Sequence, residues 1–138
     1  NYQDDDGLIS SMKRIEDIIV ERMSRLDKTT KIIIVGFSQG AALAIFIGKS
    51  SKIKLDGIIS LSGYQPIILN SNLTKKNIPI LAMHGLHDDI ISIDIAKLSY
   101  KDNSPEYFNF KTYEMGHEFI DSQLLEIQQF LLGIKDYD

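Results

Sequence analysis

Residues 31–47 have the sequence KIIIVGFSQGAALAIFI, in which a short apolar run, a glycine-flanked serine and a second apolar segment follow one another. The run at 32–35 is β-branched and too short for a typical helix, so it predicts a strand buried on both faces. Residues 41–47 are apolar all round, which predicts a buried helix. A strand that passes directly into a helix is the building unit of α/β proteins.

The rest of the chain continues this alternation. Apolar residues three and four apart from Leu8 to Leu26 predict a helix, and the aspartates at 4–6 suit its amino end. Later segments predict strands at 57–61, 78–83 and 107–113, a helix at about 92–100 and a last helix that ends near Gly133. Together they predict an α/β protein, a parallel sheet with helices on both faces, in one domain over residues 1–138. Residues 64–77 are polar and irregular, which is typical of a functional loop.

Composition excludes several classes of protein. A chain of 138 residues with 43% hydrophobic content can fold as one globular domain without a disulfide or metal. The net charge of -4, with no basic cluster, argues against a nucleic-acid partner. The absence of cysteine excludes disulfides, thiolate metal sites and cysteine nucleophiles. No apolar run is long enough to span a bilayer, and we expect a cytoplasmic protein.

The segment Gly36-Phe37-Ser38-Gln39-Gly40 matches the G-x-S-x-G nucleophile elbow. Its setting between a strand and a helix is the one that the chemistry requires, because a sharp turn lifts the serine Oγ out of the sheet. The helix behind it offers free N–H groups to a developing oxyanion, and that of Gln39 comes first. We therefore predict that Ser38 is a nucleophile, with a tight turn carrying an incidental serine as the alternative.

A nucleophilic serine needs a base and an acid that orients the base. His117 follows the strand at 107–113, and Asp88 follows the strand at 78–83. Strand C-termini of a parallel sheet share one edge, so Ser38, Asp88 and His117 are expected to converge there. Their chain order, Ser then Asp then His, is that of α/β-hydrolases. Asp89 is the alternative acid.

The other two histidines, His84 and His87, lie close to Asp88 in the chain. We expect them to be loop or packing residues, with His87 placed to tune the field at Asp88. A competing hypothesis is a metallohydrolase that uses His84, His87, Asp88 and His117 as ligands, although it leaves the serine elbow without a role. A third is a binding protein that kept the fold without the activity.

The sequence resembles the phospholipase/carboxylesterase family of α/β-hydrolases, which includes acyl-protein thioesterases and lysophospholipases. The resemblance runs from about residue 6 to residue 132. Four blocks in the family's order carry it: 36–40 with Ala41 and Ala42 behind, 57–63 followed by Tyr64 and Pro66, 84–88, and 115–118.

The resemblance implies a triad of Ser38, Asp88 and His117, a Gln39 amide in the oxyanion hole, and no cofactor or metal. It implies hydrolysis of acyl esters or thioesters, on a small molecule, a lipid or an acylated protein. Gln65 stands where many relatives carry an apolar residue near the acyl site. The family's amino-terminal third, with the first strands and the second oxyanion donor, has no counterpart before Ser38. We therefore expect the chain to self-associate or to pair with an amino-terminal segment.

Overall fold

The computed structural model describes residues 5–67 and 77–135, which contain a four-stranded parallel sheet with helices on both faces. The sheet order follows the chain order, β1 to β4. The strands are β1 (Ile33–Phe37), β2 (Gly57–Leu61), β3 (Ile80–Gly85) and β4 (Phe108–Tyr113). The helices are α1 (Asp5–Met23), α2 (Gln39–Ser50), α3 (Ile93–Tyr100) and α4 (Leu124–Lys135), the last preceded by a short 3₁₀ turn, Asp121–Gln123. The predicted α/β architecture is confirmed.

The larger core lies on one face of the sheet. Side chains of β2 and β3, among them Ile58 and Ile80, pack there against α2 and α3. Helix α1 lies outside α2, and its apolar stripe from Leu8 to Ile19 is partly buried against the same cluster. Because successive side chains of a strand point to opposite faces, Ile59 and Leu61 lie in a second, smaller cluster under α4. Both central strands, β2 and β3, are therefore buried along their whole length.

Strand β1 differs from its prediction. It was expected to be buried on both faces, and that is wrong, because Val35 is 56% exposed and Phe37 is 42% exposed. Within the part of the chain that the structure describes, β1 pairs only with β2 and forms an edge of the sheet. The cluster under α4 reaches Ile33, and the two following side chains on that face remain uncovered.

Two helix ends also differ from prediction. Helix α1 ends at Met23, and Leu26 lies beyond it, half exposed. Helix α4 continues through Gly133 to Lys135. Its last turn is stabilised by packing, because Ile134 is buried and lies so close to Gly57 that a Cβ there would meet Ile134 Cδ1 at 2.4 Å.

The predicted functional loop at 64–77 falls mostly on residues 68–76, which lie outside the described residues. In the described ranges, no helix combines the length and apolar character needed to cross a membrane.

Candidate active site

Ser38 is the single residue between the end of β1 and the start of α2. Its φ of 59° and ψ of -120° lie in a region that L residues rarely adopt, at a cost of about 1–3 kcal/mol. The turn is held by backbone hydrogen bonds: Ser38 N donates to Leu61 O over 2.8 Å, and Ser38 O accepts from Ala41 N over 3.0 Å. The strained turn is thus tied to both the neighbouring strand and the helix, as a nucleophile elbow requires.

Glycines let the backbone segments around this turn approach closely. A Cβ on Gly36 would lie 2.2 Å from Gly40 O, inside the backbone of the first turn of α2. A Cβ on Gly63, in the segment after β2, would lie 2.4 Å from Ala41 Cβ. The small residues of the sequence blocks therefore have a steric purpose at two places around Ser38.

His117 lies in the segment after β4, within hydrogen-bond distance of the serine. Its Nε2 is 3.0 Å from Ser38 Oγ. Its Nδ1 is 2.7 Å from Asp88 Oδ2, which assigns the ring proton to Nδ1 and leaves Nε2 to accept from the serine hydroxyl. The Phe37 ring lies against the imidazole, with 4.9 Å between ring centroids. The side chain of His117 is 15% exposed, so the imidazole is shielded and still reachable.

Asp88 has no exposed side-chain surface. Its Oδ1 accepts hydrogen bonds from Ile90 N at 2.9 Å and Ile91 N at 2.8 Å, and its Oδ2 faces His117. Burial raises the pKa of this carboxyl, but the hydrogen bonds from His117, Ile91 and Ile90 outweigh it and leave the pKa below its usual value. Asp88 is therefore ionised at neutral pH. The neighbouring Asp89 is exposed.

The segments that carry Asp88 and His117 are joined by backbone hydrogen bonds. Leu86 N donates to Tyr113 O over 2.9 Å, and His87 N donates to Met115 O over 3.0 Å. At their contact a Cβ on Gly85 would lie 2.3 Å from Met115 O. These bonds place Asp88 and His117 in one hydrogen-bonded unit at the C-terminal edge of the sheet.

The two remaining histidines occupy different environments. His87 is exposed, and its Nε2 lies 2.7 Å from Glu114 Oε2 at the surface. His84 lies in β3 rather than in a loop and is 1% exposed. Its Nε2 is 2.7 Å from Ile91 O and 3.3 Å from Asp88 Oδ2. The sequence predicts His84 as a loop or packing residue, or as a ligand in the metallohydrolase alternative, and gives no signal for its contact with Asp88.

Gln65 is buried, and its backbone N–H and side-chain oxygen are hydrogen-bonded to residues in α3 and just after it. Its Oε1 accepts a hydrogen bond from Asn103 Nδ2 at 2.9 Å, and its backbone N donates to Ser99 Oγ at 2.9 Å. Asn103 also contacts Lys49 through its Oδ1. The polar residue at this position thus anchors the segment that follows β2.

Helix α2 begins at Gln39, so the backbone N–H of this residue belongs to the first turn, whose N–H groups have no acceptor within the helix. The sequence predicts this amide as an oxyanion donor beside Ser38. Over residues 5–67 and 77–135, no group of three or more His, Asp or Glu side chains is arranged to hold a metal ion. The geometry is suited to proton transfer from Ser38 to His117 and to attack by the serine oxygen.

The sequence of the chain is similar to those of known proteins over most of its length. The family model described as phospholipase/carboxylesterase matches residues 1–134. Acyl-protein thioesterase 1 of Aspergillus fumigatus is 31% identical over 140 residues, covering 94% of this chain and 58% of that protein. Acyl-protein thioesterase 1 of Saccharomyces cerevisiae is 34% identical over 137 residues, covering 93% of this chain and 60% of that protein. The chain thus spans less than two thirds of the length of these relatives.

Solved structures show the same fold. The crystal structure of Arabidopsis thaliana SOBER1 superposes with a TM-score of 0.85 at 22% identity, covering 97% of this chain and 67% of the other. That of Zea mays acyl-protein thioesterase 2 superposes with a TM-score of 0.79 at 22% identity, covering 98% of this chain and 70% of the other. At this identity the likeness supports the fold, which is that of the α/β-hydrolases.

Proposed function

The chain belongs to the phospholipase/carboxylesterase family, and from that premise we propose that it carries the catalytic residues of a serine hydrolase acting on acyl esters or thioesters. The observation that supports this most directly is the hydrogen-bonded series Ser38–His117–Asp88, with distances of 3.0 and 2.7 Å. In this proposal Ser38 is the nucleophile, His117 the general base and Asp88 the acid that orients the base.

The proposed reaction has two halves. His117 Nε2 takes the proton of Ser38 Oγ while the oxygen attacks the acyl carbonyl carbon, and the N–H of Gln39 binds the oxyanion. His117 then gives this proton to the leaving alcohol or thiol, and an acyl ester of Ser38 remains. Water attacks the ester with His117 again taking a proton, which returns to Ser38 as the carboxylic acid leaves. Asp88 holds the imidazole and stabilises its charged form throughout.

The substrate is proposed to carry an apolar acyl group, attached to a lipid, a protein or a small molecule. Large apolar side chains lie exposed within two residues of the three proposed catalytic residues: Phe37, Leu86, Ile90 and Phe119. Exposed apolar groups around a polar site are typical of pockets that bind apolar ligands. The names of the Aspergillus fumigatus and Saccharomyces cerevisiae relatives, acyl-protein thioesterase 1, agree with a thioester of this kind.

Active-site labelling with a fluorophosphonate tests the proposal, since only an activated serine reacts. In the complete protein, Ser38→Ala and His117→Ala should abolish labelling and lower kcat for a short-chain p-nitrophenyl ester by about 10⁴-fold. Ser10→Ala on α1 and His87→Ala at the surface are the matched controls and should label like the parent protein. A folded parent protein that neither labels nor hydrolyses the ester would favour the non-catalytic alternative.

We further propose that the outer edge of β1 is paired in the working protein, by an amino-terminal segment of the same polypeptide or by a second copy of the chain. In this view residues 1–138 are one part of an α/β-hydrolase domain. The exposed Val35 and Phe37 on this edge strand support pairing, because apolar edge strands recruit other strands. The greater length of the relatives is also consistent with an additional segment.

A further inference from the structure

His84 is a buried histidine whose surroundings determine the position of its proton. The two polar atoms near its Nε2, Ile91 O at 2.7 Å and Asp88 Oδ2 at 3.3 Å, are both hydrogen-bond acceptors. The Nδ1 has no hydrogen-bond partner among residues 5–67 and 77–135. The tautomer with its proton on Nε2 therefore satisfies the site: this N–H donates to the Ile91 carbonyl, and Asp88 Oδ2 lies 3.3 Å from the same nitrogen.

These contacts close a ring around the carboxylate. Asp88 Oδ1 accepts from Ile91 N over 2.8 Å, and the carbonyl of the same residue faces His84 Nε2. The second oxygen, Oδ2, lies between His117 Nδ1 at 2.7 Å and His84 Nε2 at 3.3 Å. His84 therefore constrains the loop that carries Asp88 and also faces the oxygen that orients His117.

Packing alone does not explain a histidine at this position. The ring lies in β3 beside Phe110, with 6.5 Å between ring centroids, and is 1% exposed. An apolar side chain of similar size would fill this space without burying a polar nitrogen that has no partner among the described residues. Buried polar groups without partners are unfavourable, so the N–H on the opposite side of the ring must be what the site uses.

We propose that His84 is a positioning residue that fixes the orientation of Asp88 through its contacts with Ile91 O and Asp88 Oδ2. The inference rests on the proposed hydrolase function, in which Asp88 acts by orienting His117. Misplacing a catalytic group by about 1 Å costs on the order of 10²-fold in rate, which sets the expected size of the effect.

The first test compares variants of His84 in the complete protein. The amide nitrogen of His84→Gln can reach the position of Nε2, whereas His84→Leu has no donor and His84→Asn is too short to reach Ile91 O. We expect kcat to fall about 10²-fold for Leu and Asn with KM nearly unchanged, and the Gln variant to recover most of the loss. His87→Leu is the control and should keep the parent kcat, because the exposed side chain of His87 pairs with Glu114 rather than tuning Asp88 as the sequence predicts.

The second test needs no turnover. The proton between His117 Nδ1 and Asp88 Oδ2 should give a strongly downfield proton NMR signal in the resting protein. We expect this signal to persist in the His84→Gln and His87→Leu variants and to shift or broaden in the His84→Asn variant. The His84→Asn variant keeps the comparison usable if His84→Leu fails to fold. Parent kcat and an unchanged signal in Asn, or equal losses in folded Asn and Gln variants, would overturn the proposal. An inactive parent protein that shows the signal would instead count against the hydrolase function.

Discussion

The carboxylate of Asp88 is buried and receives hydrogen bonds on both oxygens, whereas Asp89, the next residue, is exposed. In Asp88→Asn an amide N–H can face His117 Nδ1 in place of the carboxylate oxygen. Nδ1 would then have to accept a hydrogen bond, which holds His117 in the wrong tautomer. We expect Asp88→Asn to lower kcat for ester hydrolysis by about 10⁴-fold and Asp89→Asn to change it little. Steady-state kinetics of the two isosteric variants checks this, and the opposite ranking would move the acid to Asp89.

The lowered pKa of Asp88 also predicts how stability changes with pH. Because the folded protein holds this carboxyl below the ordinary value of 3.8, ionised Asp88 stabilises the fold above that value. This contribution is lost as the pH falls from about 4 through the folded pKa. Urea unfolding at a series of pH values below about 5 should show that the difference in free energy of unfolding between parent and Asp88→Asn narrows as the pH falls. A difference that widens toward low pH would contradict the expected sign.

At the scale of residues, the sequence predicts best which side chains come together at the sheet edge, because the topology of a parallel sheet determines this. Parallel strands end at one edge, so the approach of Ser38, Asp88 and His117 could be predicted from their places after three strands. Their catalytic roles stay a prediction. The choice between two adjacent aspartates and the contacts of His84 depend on side-chain direction and burial, which no local pattern in one sequence determines.

Among the elements, the turn from β1 to α2 contains the two glycines of the G-x-S-x-G motif, and only one of them is required sterically. A Cβ on Gly36 would overlap the backbone of α2, while a Cβ on Gly40 would meet nothing within 4 Å. Gly36→Ala should therefore destabilise the protein by about 1–3 kcal/mol. Gly40→Ala, in the first turn of a helix, should be neutral or stabilise it by up to about 1 kcal/mol. Thermal unfolding of both variants checks the asymmetry, and equal losses would show that the overlap does not matter.

The burial of a strand and the end of a helix could not be predicted where they depend on the neighbouring elements in the fold. The central strands were placed well because continuous apolar runs indicate burial on both faces, which β2 and β3 have. The same pattern failed for β1, whose exposure depends on which strands and helices lie beside it. Similarly, the end of α4 was set by the packing of Ile134 against Gly57 rather than by the glycine signal at Gly133.

At the scale of the whole molecule, one edge of β1 is unpaired among residues 5–67 and 77–135, and we therefore expect residues 1–138 to associate in solution. An apolar edge strand pairs readily with another chain, and a charge on it opposes this. Analytical ultracentrifugation should show that Val35→Lys, at a side chain already 56% exposed, shifts the parent chain toward monomer. Lys28→Glu is a charge-changing control on the exposed segment after α1 and should leave the proportion of monomer unchanged. A parent chain that is monomeric at high concentration would contradict the prediction.

The same 138-residue chain should also be a slow esterase. In α/β-hydrolases the oxyanion hole uses the amide after the nucleophile and a second amide from a loop near the start of the sheet. By resemblance to the family, that loop belongs to a segment ahead of Ser38, and loss of one donor costs about 10²–10³-fold in kcat. Kinetics with a p-nitrophenyl ester checks this. A monomer as fast as full-length relatives would show that the second amide is dispensable or supplied elsewhere.

Backbone hydrogen bonds join the segments of Asp88 and His117 to each other, whereas Ser38 is joined to a different strand. Asp88 and His117 lie on segments after β3 and β4 that are hydrogen-bonded to each other, whereas Ser38 N is hydrogen-bonded to Leu61 O on β2. A breathing motion that opens the seam between β2 and β3 would therefore stretch the serine–histidine distance and leave the histidine–aspartate pair intact. In the proposed mechanism such an opening would interrupt proton transfer from Ser38 to His117, while the pair of His117 and Asp88 would stay assembled.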